Sequence, residues 1–130
     1  MISSYLSNIG IKEKDLPWYW HPSDPREKHW LEMINKHGFD ERDTWDLNYT
    51  LALLIYPRLK MYDEVNRIDT SFHKFEFEDK EYTEQECINK ILEGFEIFLT
   101  KNEFKLTDED YKKIKDSMTL LGIIWWALWW

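Results

Sequence analysis

Two arginines stand where a guanidinium can do specific chemistry, Arg58 inside an apolar helical pattern and Arg42 in a polar connection that also carries Phe39 and Trp45. It keeps its proton and carries five N–H donors, so one turned away from water needs a carboxylate, carbonyl groups or a ligand anion. On a helical wheel of roughly 100° per residue with Leu47 at zero, Leu51, Leu54, Met61 and Val65 fall within about 40°, and Arg58 lies near 20°, inside that apolar stripe. Three outcomes are open to it: an internal salt bridge to Asp43 or Asp46, a grip on a phosphate or partner carboxylate, or rotation to the surface at Pro57. Arg42 begins the run Arg42-Asp43-Thr44-Trp45-Asp46 just ahead of the same helix. Asp43, Thr44 or Asp46 can supply an N-cap oxygen, and a helix start beside a basic side chain is also an anion site. Trp18, Trp20, Trp30 and Trp45 lie on or beside polar loops near Arg42, forming either an aromatic–arginine pocket or a second small core cluster. The candidate ligand-binding residues are therefore Arg58, Arg42, Trp45, Trp20, Trp30, Asp43, Asp46, His21 and Tyr62.

Other chemistries find little to work with. His29 and His37 share one helix but stand about 12 Å apart along its axis, too far for one metal to bridge. No His-x-x-x-His or carboxylate triad occurs, so no metal site and no cofactor are expected. Cys87 has acidic neighbours that raise its pKa, which argues against a nucleophile. Neither a glycine-rich phosphate loop nor a Gly-x-Ser-x-Gly elbow is present, and no catalytic residue is assigned; the expectation is a non-enzymatic protein.

The elements that would position these residues follow from capping and periodicity. A first main helix is expected from Asp24, with Pro25 at its first position and Glu27 completing a capping box, to Gly38. A second, kinked at Pro57, should run from about Asp46 to Asn66. Residues 68–82 break the period, and Phe72, Phe75 and Phe77 alternate in part, suiting a short extended piece or a packed loop. A third helix opens at Thr83, capped with Glu86, and buries Ile88, Ile91, Leu92, Phe95, Phe98 and Leu99. A fourth opens at Thr107, with acids in its first turn and Tyr111, Ile114, Met118 and Leu121 as its buried line. The segment Gly122–Trp130 is apolar on every side, either enclosed by its own domain or meeting another chain. The expected fold is an all-α, single-domain bundle of about four main helices over residues 1–130, with a Trp-rich C-terminal helix.

Composition sets the partners. Seventeen bases against 25 acids leave a net charge of −8, which repels nucleic acid and anionic membranes, so neither is expected as a direct partner. A single cysteine excludes an internal disulfide framework and suits a reducing compartment. The N-terminus lacks a basic-then-apolar signal pattern, and the longest apolar run is short of a ~20-residue membrane span. Residues 76–86 hold six acids and one lysine, a charged face suited to a protein partner. Eight Trp, seven Tyr and seven Phe exceed what an ordinary domain carries, and they serve as core, stacking surface or contact hot spots. The terminal tryptophans make a homo-oligomer the expectation over a monomer.

The string Gly38-Phe39-x-x-Arg42-Asp43-Thr44-Trp45-x-Leu47, with Trp18 to Pro22 before it and Pro57-Arg58-Leu59 and Leu128-Trp129-Trp130 after it, resembles a widespread family of small tailed-bacteriophage proteins without an agreed activity. The likeness spans most of the chain; residues 68–86 depart from it, carrying an acidic, Phe-rich stretch in place of a Trp-centred one. The resemblance implies a phage protein acting in the host bacterial cytoplasm, where small accessory factors often neutralise immunity. The leading expectation is an anti-defence protein that sequesters a nucleotide-derived signal, a cyclic nucleotide or an ADP-ribose derivative, without turnover. The alternatives are an inhibitor that binds a host defence factor or nuclease through an acidic, aromatic surface, and a virion assembly accessory. An unrecognised hydrolase ranks last.

Overall fold

The computed structural model describes residues 1–19, 23–65 and 73–129. Helix α1 (Ser4–Ser7) and a 3-10 turn (Glu13–Asp15) precede α2 (Glu27–His37), α3 (Arg42–Trp45) and α4 (Leu47–Val65). A hairpin of β1 (Lys74–Phe77) and β2 (Lys80–Thr83) leads into α5 (Glu84–Thr100), a 3-10 turn (Glu103–Lys105), α6 (Asp108–Ile124) and a final 3-10 turn (Trp125–Ala127). The fold is therefore mostly helical, with α2, α4, α5 and α6 as its main helices, roughly the expected bundle with one small hairpin in addition. Residues 74–83 form an antiparallel pair in which Phe75 faces Tyr82 and Phe77 faces Lys80. Phe75, Phe77 and Tyr82 pack against the core, while Glu76 and Glu81 point outward opposite each other. The strands join through Glu78 and Asp79, whose φ values of 50° and 61° give the doubly left-handed turn that suits hairpin twist.

The capping signals place three helix ends. Thr83 and Glu86 cap α5 reciprocally, and Thr107 and Asp110 do the same for α6. Gly38, at φ 85°, ends α2 and donates its N–H to the Ile34 carbonyl. The start of α2 falls later than the Asp24-Pro25 pattern predicts. Asp24 instead accepts from the backbone N–H and the guanidinium of Arg26, and this local turn defers the helix to Glu27. Helix α4 runs through Pro57 as one helix.

Helix α5 is the centre of the molecule. Tyr62 and Tyr56 of α4 reach Glu84 and Glu96, whereas Lys101 at the far end meets Asp110 at the start of α6, so α5 runs antiparallel to both neighbours. The predicted α5 stripe is buried, apart from half-buried Phe98. Around it lie Leu53, Tyr56 and Leu59 of α4, Leu120 and Ile124 of α6, and Leu6, Ile11 and Leu16 of the N-terminal segment. Helices α5 and α6 form the most extensive contact, pressed together where Gly94 faces fully buried Ser117.

Two predicted faces are turned. In α6 the residues facing inward are Ser117, Leu120 and Ile124, about one residue round from the expected line, and Tyr111 and Met118 are exposed. The small Ser117 is what permits close approach to Gly94, so packing overrides the larger side chains. In α4 the buried residues are Thr50, Ala52, Leu53, Tyr56, Pro57 and Leu59, largely on the side away from the predicted stripe, and Leu47, Leu51, Leu54, Met61 and Val65 are exposed. This helix is apolar on two faces, and periodicity alone does not choose between them. Nor is the Trp-rich end a helix packed inside the domain. Helix α6 stops at Ile124, and Trp125, Trp126 and Trp129 are exposed, Trp126 at 88%.

Candidate functional site

The candidate residues separate into two places. Arg42, Trp30 and Trp45 meet where α2 and α3 close on the N-terminal segment. Asp40 sits two residues before Arg42 and holds its guanidinium in a bidentate pair at 2.9 and 2.6 Å while also accepting from its backbone N–H. Arg42 donates a further bond to the Tyr19 carbonyl and stacks 4.2 Å from the centre of Trp30. Arg26 also stacks on Trp30, at 4.7 Å, and lies 5.5 Å from Trp45, which meets Trp30 edge-on. Glu41 accepts from the Trp30 indole N–H. At 3% exposure, with three of its five side-chain donors engaged inside the fold, Arg42 pins one stretch of chain to the next. Its hydrogen bonds keep the Asp40 carboxyl below the usual carboxylate range against the opposing effect of burial.

Asp43 and Asp46 do not join Arg58. The Asp43 carboxyl is raised by burial and by the neighbouring charge of Asp40, with Arg42 working in the other direction. Among the described residues no side-chain oxygen of Asp43, Thr44 or Asp46 caps α4; the Thr44 hydroxyl donates back to the Glu41 carbonyl. Trp20 and His21 lie outside the described residues. His29 stands 3.7 Å from Glu41, and among the described residues no group of three or more His, Cys, Asp or Glu side chains is placed to hold a metal ion. Cys87 is fully buried, and burial followed by the charges of Glu86 and Glu84 pushes its thiol up to about 11.

Arg58 and Tyr62 come together at the second place. Because the core takes the opposite face of α4, Arg58 is exposed, with neither Asp43 nor Asp46 as partner. One of its N–H groups donates to the Leu54 carbonyl one turn back, and its side chain lines a groove. Leu54, Ile55, Leu59 and Tyr62 of α4 form one wall of that groove, and Leu121, Trp125 and Leu128 form the other. It encloses about 300 Å³ and is almost wholly apolar apart from Arg58. The single hydroxyl proton of Tyr62 is shared between Glu84 at 3.1 Å and the Ala127 carbonyl at 3.4 Å, which ties the C-terminal turn to α4 and α5. Trp125 and Leu121 are members that sequence reasoning missed. The signal was available, since Ile114, Met118, Leu121 and Trp125 recur at three- and four-residue spacing along α6.

A hollow between the hairpin and α6 is crossed by ion pairs of Lys112 with Glu78 and Asp116 and of Lys113 with Glu93 and Glu109, which occupy both lysines. Among the described residues no helix is long and apolar enough to cross a membrane. No protein-family model, curated protein or solved structure matches the chain.

Proposed function

We propose that this protein works by binding without turnover, holding a nucleotide-derived signalling molecule in the groove between α4 and the C-terminal turn. The observation that carries the reading is Arg58. It is a permanent cation with unused donors at the rim of an apolar, aromatic groove, and such a groove with few convergent polar groups is the usual form of a small-molecule site. Trp125 offers a face for a base, and Arg58 offers a charge-assisted bond to a phosphate oxygen. The resemblance to tailed-phage proteins supports an anti-defence role in a host bacterial cytoplasm, with a cyclic nucleotide or ADP-ribose derivative as the molecule removed. The test is a tryptophan-fluorescence titration with a panel of those compounds, repeated on Arg58→Gln. A charged hydrogen bond contributes about 1.5–3 kcal/mol, so the variant should bind roughly ten- to a hundredfold more weakly. No response to any compound at millimolar concentration overturns the reading.

A second reading, inhibition of a host protein, is favoured by the hairpin. Glu76 and Glu81 are directly opposed, and among the described residues neither has an ion-pair partner, so the surface carries uncompensated charge. A stoichiometric partner pulled from host lysate through this strand pair, and lost on Glu76→Lys with Glu81→Lys, would support it over the first.

A further inference from the structure

The exposed face of α4 has a regularity that a ligand groove does not require. Leu47, Leu51, Leu54, Arg58, Met61 and Val65 follow one another at alternating spacings of four and three residues, the seam pattern of a coiled coil. All six are exposed, Met61 at 55% and Val65 at 59%, along a helix whose opposite face already supplies the core. A contiguous apolar stripe of this kind on an otherwise packed helix marks an interaction surface.

The pattern also reads the same from both ends about position 56. When a second α4 is laid antiparallel and centred there, Leu47 meets Val65, Leu51 meets Met61 and Leu54 meets Arg58, and the reverse pairs follow by symmetry. Each large side chain then faces another large side chain, the self-complementarity that a two-fold interface demands. A stable interface covers about 800 Å² per partner, and the five half-exposed apolar seam residues with neighbouring Trp125 supply most of it. We propose that the occupant of this face is a second copy of the chain, paired antiparallel through α4. This rests on the seam spacing and stands apart from the ligand reading above.

The pairing bears on the groove. Ile55 and Tyr62 lie on one flank of the seam, and antiparallel pairing sets like flanks together, so the two grooves adjoin. The two Arg58 residues then lie about 6 Å apart along the helix axes. This consequence, unlike the pairing itself, rests on the groove reading above: two cations across a two-fold axis select a ligand with two anionic groups, such as a cyclic dinucleotide, in preference to a mononucleotide.

The test uses the full chain. Sedimentation over a concentration series should show a dimer, and Leu51→Asp should raise the half-dimerisation concentration about a hundredfold while leaving the circular dichroism unchanged. Single variants Leu51→Cys and Met61→Cys, mixed under copper–phenanthroline oxidation, should form a mixed disulfide, and neither variant alone should cross-link. Native Cys87 is fully buried and stays silent. A monomer at all concentrations, or cross-linking of either variant with itself, overturns the pairing. If the monomer still binds cyclic di-adenosine monophosphate, only the dimer falls and the groove reading stands.

Discussion

The contact between α5 and α6 makes one substitution change sign with position. A Cβ placed on Gly94 would lie 2.4 Å from both Cβ and Oγ of Ser117 and 2.6 Å from the Lys113 carbonyl oxygen. Non-bonded heavy atoms rest at about 3.5–4.0 Å, so the helices must part by roughly 1 Å. Neither neighbour yields readily. Ser117 is fully buried with its hydroxyl bonded to the Ile114 carbonyl at 2.6 Å, and the Lys113 oxygen belongs to the backbone. Against this stands the gain of replacing glycine by alanine in a helix interior, about 1 kcal/mol. Overpacking costs about 1–3 kcal/mol, and a gap of 0.5–1 Å elsewhere along the interface forfeits roughly a quarter to a half of each lost contact. Contacts this short put the cost at the upper end of the overpacking range, so the clash wins: Gly94→Ala should lose about 1–2 kcal/mol net, lowering Tm by roughly 3–10 °C at this chain length. Gly122, exposed on α6 with nothing within 4 Å of a built Cβ, is the internal control. Gly122→Ala should gain about 0.5–1 kcal/mol. Urea denaturation followed by circular dichroism measures both, and unchanged m-values would show that the difference lies in stability. Adding Ser117→Gly to Gly94→Ala should restore only part of the loss, because the Lys113 carbonyl remains. A Gly94→Ala protein as stable as the parent would refute the close crossing.

Three further outcomes follow from charge. Asp40→Asn should cost about 3–5 kcal/mol by leaving buried Arg42 without its carboxylate, read as a fall in urea midpoint. Acid titration of stability should show two opposed effects. The raised Asp43 carboxyl destabilises the fold when ionised and is relieved as pH falls through its folded value, so Asp43→Asn should flatten that upper arm. The depressed Asp40 and Asp110, held by Arg42 and Lys101, contribute stability that is complete above the ordinary carboxylate value of about 4 and is lost as pH falls through their lower folded values. A thermal midpoint that fell steadily from neutral pH in the parent would contradict this order. Finally, Glu81→Lys replaces like charges opposite Glu76 by a cross-strand pair and should raise stability by about 0.2–1 kcal/mol, an effect that high salt should diminish.

Much of the fold is legible from residue to residue, because caps and glycine stops are local. The Thr83–Glu86 and Thr107–Asp110 boxes and the left-handed Gly38 need only neighbours within a turn, and they place α5, α6 and the end of α2. Asp24 shows the limit: its side chain satisfies Arg26 in a tighter turn than the helix start its type suggests. The hairpin depends on Glu78 and Asp79 accepting positive φ without glycine, a choice sustained by Phe75, Phe77 and Tyr82 packing beneath it. In the candidate site, Arg58 and Tyr62 were visible as chemistry, and Arg42 was visible as an unusual cation. Their surroundings were not, because Asp40 competes for Arg42 only once the short helix α3 folds its side chain back, and Trp125 meets Arg58 only across two helices.

The sequence alone determined that α4 carries a periodic apolar stripe with a cation in it, since side-chain types and helical spacing are properties of the chain. Which way that stripe points was decided by tertiary structure. Helix α5 took the face bearing Ala52, Leu53, Tyr56 and Leu59, and the close approach at Gly94 and Ser117 set α6 beside it. Burial is won by the face that packs more densely against its neighbours, a comparison made between elements distant in the chain. The stripe that lost that comparison is the one left to meet solvent, ligand or a second copy.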